Sequence, residues 1–331
     1  MRLPSSGRSA LLTYELYYGL KQKPFSLSAN PQFLYKSRSH APIFEDLLAG
    51  IRRREGLIVL TGDIGTGKTT LINKLLEWLR LQQVATAFVF NSRMNVPQFM
   101  DYMMADFAIP CDSKSKSQIL QRLYNWLLDR YRAGETAVLI VDEAQNLTDE
   151  VLEEIRMLTN LETFTEKLLQ IVLVGQPELE VKLKQPQLRQ LRQRLTLRAK
   201  THPLTLEETK AYVQQRLRIA GSDGRQIFEP EALNAVHKYA NGIPRVVNLL
   251  CEHCLVSAFV DQKSTIAEGI VDAVARDFDL SDSVASGAMT VAAPPAAAAE
   301  KFDLVDALRT LATLADRLRQ SEQEMSKERK S

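Results

Sequence analysis

Four short apolar runs, at residues 57–60, 84–90, 137–141 and 168–174, interrupt longer stretches in which apolar and polar positions alternate with helical spacing. Each run is too short for a helix and is rich in Val, Ile, Leu or Phe, so each reads as a strand buried on both faces. Strands that alternate with helices predict a parallel sheet covered by helices on both sides. A fifth strand is expected over residues 195–199. Upstream, Ile43, Leu47, Leu48 and Ile51 share one face of a helix predicted over 41–54.

After Pro203 the pattern turns wholly helical. Thr205-Leu206-Glu207-Glu208 is a capping box, in which the first hydroxyl and the last carboxylate each satisfy a free backbone N–H. Pro230 and Pro244 fit first helical positions, and Gly242 fits the turn between those two helices. A fourth helix is expected over 266–278. The chain thus divides into a loose leader (1–13), an α/β domain (14–203), a small all-helical domain (204–278), a Ser-, Ala- and Pro-rich linker expected to be disordered (279–300) and a terminal helix (301–331). In the last, Leu304, Leu308, Leu311, Ala315 and Leu318 follow heptad spacing.

Composition narrows the function classes. With 42 Lys+Arg against 40 Asp+Glu, the formal charge of +2 excludes a polybasic coat and an acidic tail protein. The contents of 45% hydrophobic and 25% charged residues are those of an ordinary globular chain. Three cysteines make no disulfide framework and suit a reducing compartment. No run of 18 or more apolar residues occurs, and the nearest, 284–299, is broken by Pro294-Pro295. A cytoplasmic location follows as the expectation, with peripheral attachment to the inner membrane compatible with it.

The chemistry begins at Gly62-Asp63-Ile64-Gly65-Thr66-Gly67-Lys68-Thr69, the Walker A pattern, placed after a predicted strand and at the head of a helix carrying Leu71, Leu75, Leu76 and Leu79. The glycines let backbone N–H groups close around phosphate oxygens, and the helix N-terminus adds partial positive charge. Gly62 to Thr70 form the expected phosphate cradle. Within it Lys68 would reach the β- and γ-phosphates and Thr69 would hold Mg²⁺. The strand 137–141 ends in Asp142-Glu143, a Walker B pair. Asp142 suits the Mg²⁺ and Glu143 suits a general base acting on water, which favours hydrolysis over phosphate transfer to a substrate. No guanine signature (Asn-Lys-x-Asp) and no transporter signature (Leu-Ser-Gly-Gly-Gln) is present. The quartet Asp-Glu-Ala-Gln also occurs in helicases, which a helical domain after the sheet fits poorly.

Three more polar positions invite roles. Gln176 follows the strand 168–174 and would orient the attacking water if that strand lies beside the first. Residues 182–202 hold Lys182, Lys184, Arg189, Arg192, Arg194, Arg198 and Lys200 and no acidic residue. An arginine supplied to a neighbouring subunit's nucleotide is one reading, with Arg194 first and Arg189 second. Contact with nucleic-acid phosphates is another, and a solvated cationic face a third. Arg245, just after Gly242-Ile243-Pro244, would reach over the γ-phosphate from the helical domain. Cys251 and Cys254 read as buried thiols on one helix face, since no second ligand pair completes a zinc site.

Together these residues resemble the AAA+ ATPases, specifically the general secretion pathway protein A branch. The resemblance runs from Tyr17-Tyr18-Gly19-Leu20 through Lys23-Pro24-Phe25, Asn30-Pro31, Phe33-Leu34-Tyr35, Asp142-Glu143-Ala144-Gln145, Gly175-Gln176-Pro177-Glu178-Leu179 and Leu191-Arg192-Gln193-Arg194-Leu195 to Gly242-Ile243-Pro244-Arg245. It implies a P-loop NTPase sheet domain with a helical lid, ATP and Mg²⁺ as ligands, nucleotide between subunits and ring-like homo-oligomers. It assigns Gln176 to the sensor 1 region, Arg194 to the arginine-finger region and Arg245 to sensor 2. A protein partner in secretion, exopolysaccharide or envelope assembly is the implied target. Secretion proteins of that branch continue with a membrane span and a peptidoglycan-binding domain, where this chain has its linker and heptad segment. Two other functions share the same core: a DNA-associated transposition-helper or initiator-like ATPase, and a nucleotide-gated scaffold with little turnover. The residues leave the adenine contacts open, with the aromatic stretch Tyr14–Phe25 before the sheet as a candidate wall.

Overall fold

β1 (Leu57–Thr61) lies inside a five-stranded parallel sheet of order β2-β3-β4-β1-β5, with β2 (Ala85–Val89), β3 (Ala137–Val141), β4 (Leu169–Gly175) and β5 (Leu195–Lys200). The computed structural model describes residues 13–26, 40–90, 93–110 and 115–280. The leader up to residue 12, Asn30-Pro31, Phe33-Leu34-Tyr35, the linker beyond Leu280 and the heptad segment lie outside the described residues. The expected strands all form, within one or two residues of their predicted ends.

Alternation along the strands divides the core. Val59, Leu139, Val141, Ile171 and Leu173 face α4 (Val96–Asp106), α5 (Lys116–Arg132), α6 (Asp149–Leu158), α7 (Pro177–Leu183) and α8 (Arg189–Arg192). Ile58, Leu60, Val138, Ile140, Val172 and Val174 face α2 (His40–Arg52) and α3 (Lys68–Leu81). Burial on both faces is why these strands read as continuous apolar runs.

A second core belongs to α9 (Leu206–Ile219), α10 (Pro230–Ala240), α11 (Pro244–Val260) and α12 (Glu268–Asp277). The capping box at Thr205 forms: the Glu208 N–H donates to the Thr205 hydroxyl (3.3 Å) and the Thr205 N–H to the Glu208 carboxylate (3.0 Å). Pro230 and Pro244 occupy the first turns of α10 and α11. The predicted helix over 266–278 begins later, at Glu268, because Ile266 instead donates its N–H to the Ile227 carbonyl. Cys251 and Cys254 are both buried in this core, and burial pushes the Cys254 thiol up to about 12.

One placement corrects the sequence reading. The stretch Tyr14–Phe25, which begins with the short α1 (Tyr14–Tyr17), does not line the sheet domain. Tyr14, Tyr18, Leu20 and Phe25 are buried in the lid core. Tyr14 donates to Glu252 (2.6 Å) and Tyr18 to the Lys263 carbonyl (2.8 Å). Buried Arg216 donates to the carbonyls of Pro24 (2.6 Å) and Ser26 (3.3 Å) and to the Tyr212 hydroxyl (2.8 Å). The physical reason lies in the cover each core needs. Both sheet faces are already covered, whereas α11 is apolar around much of its circumference, through Val247, Leu250, Cys251, Cys254, Leu255 and Ala258, and its remaining side requires a lid of its own.

Between α10 and α11 the chain turns at Gly242, whose φ is +70° and whose added Cβ would stand 2.0 Å from the Leu204 carbonyl oxygen. We expect Gly242→Ala to cost about 3 kcal/mol, since a backbone carbonyl cannot step aside. Gly269, with open space around it in α12, should gain about 0.5–1 kcal/mol from the same change. Urea melts of the two variants check this; equal midpoints would remove the proposed clash.

Candidate active site

The parallel arrangement brings the carboxyl ends of β1, β3 and β4 to one edge of the sheet, so the loops that follow them meet there. After β1 come Gly62 to Gly67. Gly65 and Gly67 adopt φ of +82° and +99°, the left-handed region in which a Cβ is strained. Gly62 has extended backbone but no room: an added Cβ would stand 1.9 Å from the Thr201 hydroxyl. Thr201, just past β5, donates its N–H to the Thr61 carbonyl (2.8 Å), and its hydroxyl meets that of Thr66 at 2.7 Å. On the other side, His40 at the head of α2 places Nε2 3.0 Å from the Thr66 carbonyl oxygen. Burial holds the His40 imidazole below its ordinary range. The loop is therefore clamped by two residues, Thr201 and His40, that carried no role in the sequence reading.

Lys68 is buried and donates to the carbonyls of Gly62 (2.6 Å) and Asp63 (2.9 Å). Burial pulls its pKa down, while the carboxylates of Glu143, Asp142, Asp63 and Glu178 pull it back toward the charged form. Asp63 and Ile64 are exposed, and Thr69 and Thr70 sit in the first turn of α3 with Thr69 open to solvent.

After β3 come Asp142 and Glu143. Asp142 donates its N–H to the Val89 carbonyl (2.9 Å), and its carboxylate accepts the Glu143 N–H (2.9 Å). Burial raises the Asp142 pKa, against that N–H and against Lys68. Glu143 itself adopts φ +51°, an uncommon conformation for a residue with a side chain. Its carboxylate accepts from the side-chain amides of Gln145 (2.5 Å) and Gln176 (3.2 Å). Since β4 does lie beside β1, Gln176 stands where the sequence placed it. Gln145 stands out in the sequence only as the last residue of the Asp142-Glu143-Ala144-Gln145 motif.

From the lid, Arg245 is exposed and donates its N–H to the Gly65 carbonyl (3.2 Å), while Ile243 packs against the same glycine. The seven basic residues of 182–202 divide by position. Lys182 bonds the Leu147 carbonyl and faces Asp149. Arg194 lies at the opposite end of the sheet, in a cavity with Glu55, Arg156 and Lys167. Lys184, Arg192, Arg198 and Lys200 line one cleft beside Thr61 and Glu180, with no ion pair to any of the four among the described residues. Arg189 opens α8 and is exposed.

Comparison with known proteins identifies the domain and the fold. Residues 51–183 match the AAA domain family. General secretion pathway protein A of Aeromonas hydrophila is 40% identical over 265 residues, 80% of this chain and 48% of that protein, so the chain spans about half the length of the curated relative it matches. Among solved structures, the Aeropyrum pernix ORC2 protein superposes with TM-score 0.56 at 16% identity, covering 78% of this chain and 72% of that one. Drosophila ORC bound to DNA gives 0.59 at 18% identity, with 84% and 69% covered. The Thermotoga maritima RuvB branch migration motor gives 0.51 at 18% identity, with 76% and 75% covered.

Gly62→Ala should weaken binding of a fluorescent ATP analogue by about tenfold or more, roughly 1.4 kcal/mol, because the new methyl group meets Thr201. Adding Thr201→Gly should restore part of the loss. Titration of both variants decides it, and wild-type affinity in Gly62→Ala would remove the clamp argument.

Proposed function

This chain carries an AAA domain on a P-loop NTPase fold and is related to general secretion pathway protein A, and from that premise we propose that it is a Mg²⁺-dependent ATP hydrolase. Its nucleotide state would drive assembly of its own copies and remodelling of a protein partner in secretion, exopolysaccharide or envelope assembly. The observation that carries the reading is Glu143, held by two amides at the sheet edge that also presents Asp142 and Lys68.

The cradle Gly62 to Thr70 suits the phosphates of ATP through its glycines, its N–H groups and the head of α3. Lys68, now bonded to two loop carbonyls, would exchange them for phosphate oxygens and hold charge there. Thr69 and Asp142 would hold Mg²⁺. A hydroxyl and a carboxylate are hard oxygen donors of the kind it takes along with water and phosphate, and a cation would offset the burial that raises the Asp142 pKa. The ion supplies neutralisation of phosphate charge. Glu143 would accept a proton from the water whose oxygen attacks the γ-phosphorus, with Gln176 orienting that water, as the bond to the β-phosphate breaks. Arg245 would add positive charge from the lid, whose backbone already contacts the loop at Gly65.

Arg194 cannot serve its own chain's site. It precedes β5, whose six residues at about 3.3 Å each separate it from the loop edge. A role on the γ-phosphate therefore requires a second copy, with Arg189 and Arg192 of α8 as the alternatives. The cationic cleft on β5 favours a second reading, a DNA-associated ATPase.

Glu143→Gln should keep ATP affinity and lose at least about 100-fold in turnover. Arg194→Ala should lose turnover alone but recover part of it when mixed with Glu143→Gln, because one interface then pairs an intact base with an intact arginine. Phosphate release by the two variants and their mixture tests both assignments; undiminished release by Glu143→Gln would sink the first. Release too slow to detect from wild type that binds ATP would identify a scaffold. For the second reading, salt-dependent DNA affinity should fall on removal of Arg189, Arg192 and Arg198; absence of any DNA binding at low salt rejects it.

A further inference from the structure

We propose that Gln145 is the positioning residue for Glu143, a two-ended brace that sets the direction in which the carboxylate meets water, and that Gly175 is the glycine that leaves room for it. The proposal rests on the reading of Glu143 as the general base.

The geometry begins with the backbone. β3 ends at Val141, and two residues later the left-handed Glu143 turns the chain into a single 3₁₀ turn, Ala144–Asn146. The turn closes through the Asn146 N–H on the Glu143 carbonyl (2.9 Å), and Lys182 holds the Leu147 carbonyl that follows. A left-handed residue with a long side chain costs free energy and persists where its surroundings over-determine it. Here the over-determination is a small ring of hydrogen bonds. The Gln145 side-chain N–H donates to Glu143 Oε2, while its carbonyl oxygen accepts the backbone N–H of Gln176 (3.1 Å). The Gln176 side chain donates to the same Glu143 oxygen (3.2 Å). One amide thus ties the end of β3 to the end of β4, and the orientation of Glu143 is set by both strands at once.

The ring needs space that a single methyl group would remove. A Cβ on Gly175 would stand 2.8 Å from Gln145 Oε1 and 2.9 Å from buried Leu179. Leu179 is fully buried at 0% exposure and cannot retreat, so the Gln145 amide would be the group to move. The φ of Gly175 is not left-handed, so its backbone would accept alanine. The absence of a side chain there serves Gln145, which follows the preceding strand, β3.

The test compares full-length wild type, Glu143→Gln, Gln145→Ala, Gly175→Ala and the double variant Glu143→Gln with Gln145→Ala. Misplacement of a catalytic group by about 1 Å costs up to about 100-fold. We expect Gln145→Ala and Gly175→Ala each to lower kcat by roughly 10- to 100-fold while KM and the affinity for an ATP analogue stay within about twofold. In the double variant Gln145→Ala should cost nothing beyond Glu143→Gln, since no base remains to position. Unchanged or raised kcat in Gln145→Ala overturns the brace, as does an equal further loss in the double variant. Gln145→Ala keeps that decision open should Gly175→Ala fail to fold. Full turnover in Glu143→Gln overturns the base assignment instead, and the two failures are told apart by which single variant stays active.

Discussion

Parallel pairing on both sides of β1 determines where every polar group of the site comes to rest. Thr61 pairs with Gly175 on one side and Lys200 on the other, so the loops after β4 and β5 emerge on either side of the loop after β1, at the same end of the sheet. A parallel strand cannot be reached by a tight turn, and the intervening helices must return the chain to the opposite edge each time. That requirement places Glu143 and Gln176 beside Lys68 although they are 75 and 108 positions away in sequence, and it exiles Arg194 to the far end. Clamping by Thr201 then follows, since the residue after β5 has nowhere to go except against Gly62.

The sheet, the lid and the core of the site were legible in the sequence because each rests on a local signal. Four apolar runs of strand length, a glycine loop between strand and helix, and a capping box with Pro and Gly at the helix ends all act over a few residues. Thr201, His40 and Gln145 were not legible. Threonine at a strand end, histidine at a helix start and glutamine after an acidic pair are ordinary in composition. Their contacts with the loop and with Glu143 depend on strand order and on a left-handed turn, and neither is written in periodicity. The aromatic stretch Tyr14–Phe25 was assigned to the wrong core for a related reason. Its apolar character shows that it must be buried but does not say by what, and proximity in sequence to the sheet domain was a poor guide.

The cationic segment 182–202 shows how an average misleads twice. The balanced charge of the whole chain conceals it, and the segment as a whole conceals its own division. One lysine is half-buried and bonds a loop carbonyl, one arginine faces the far end and four cations share a cleft on the edge strand β5. Because Arg192 lies in that cleft and Arg194 outside it, arginines two positions apart in the motif address different surfaces.

The covering of the lid by residues before the sheet makes the small domain discontinuous along the chain. Tyr14 and Glu252 are bonded across 238 positions, and Arg216 closes on Pro24 across 192. Ribosomal synthesis therefore delivers the lid's cover before the sheet domain and the lid helices after it. During elongation Tyr14, Tyr18 and Phe25 have no core to enter while the sheet domain is completed. Joining Tyr14, Tyr18 and Phe25 to α9–α12 is a contact of large sequence separation, which costs more loop-closure entropy than the local packing within either domain.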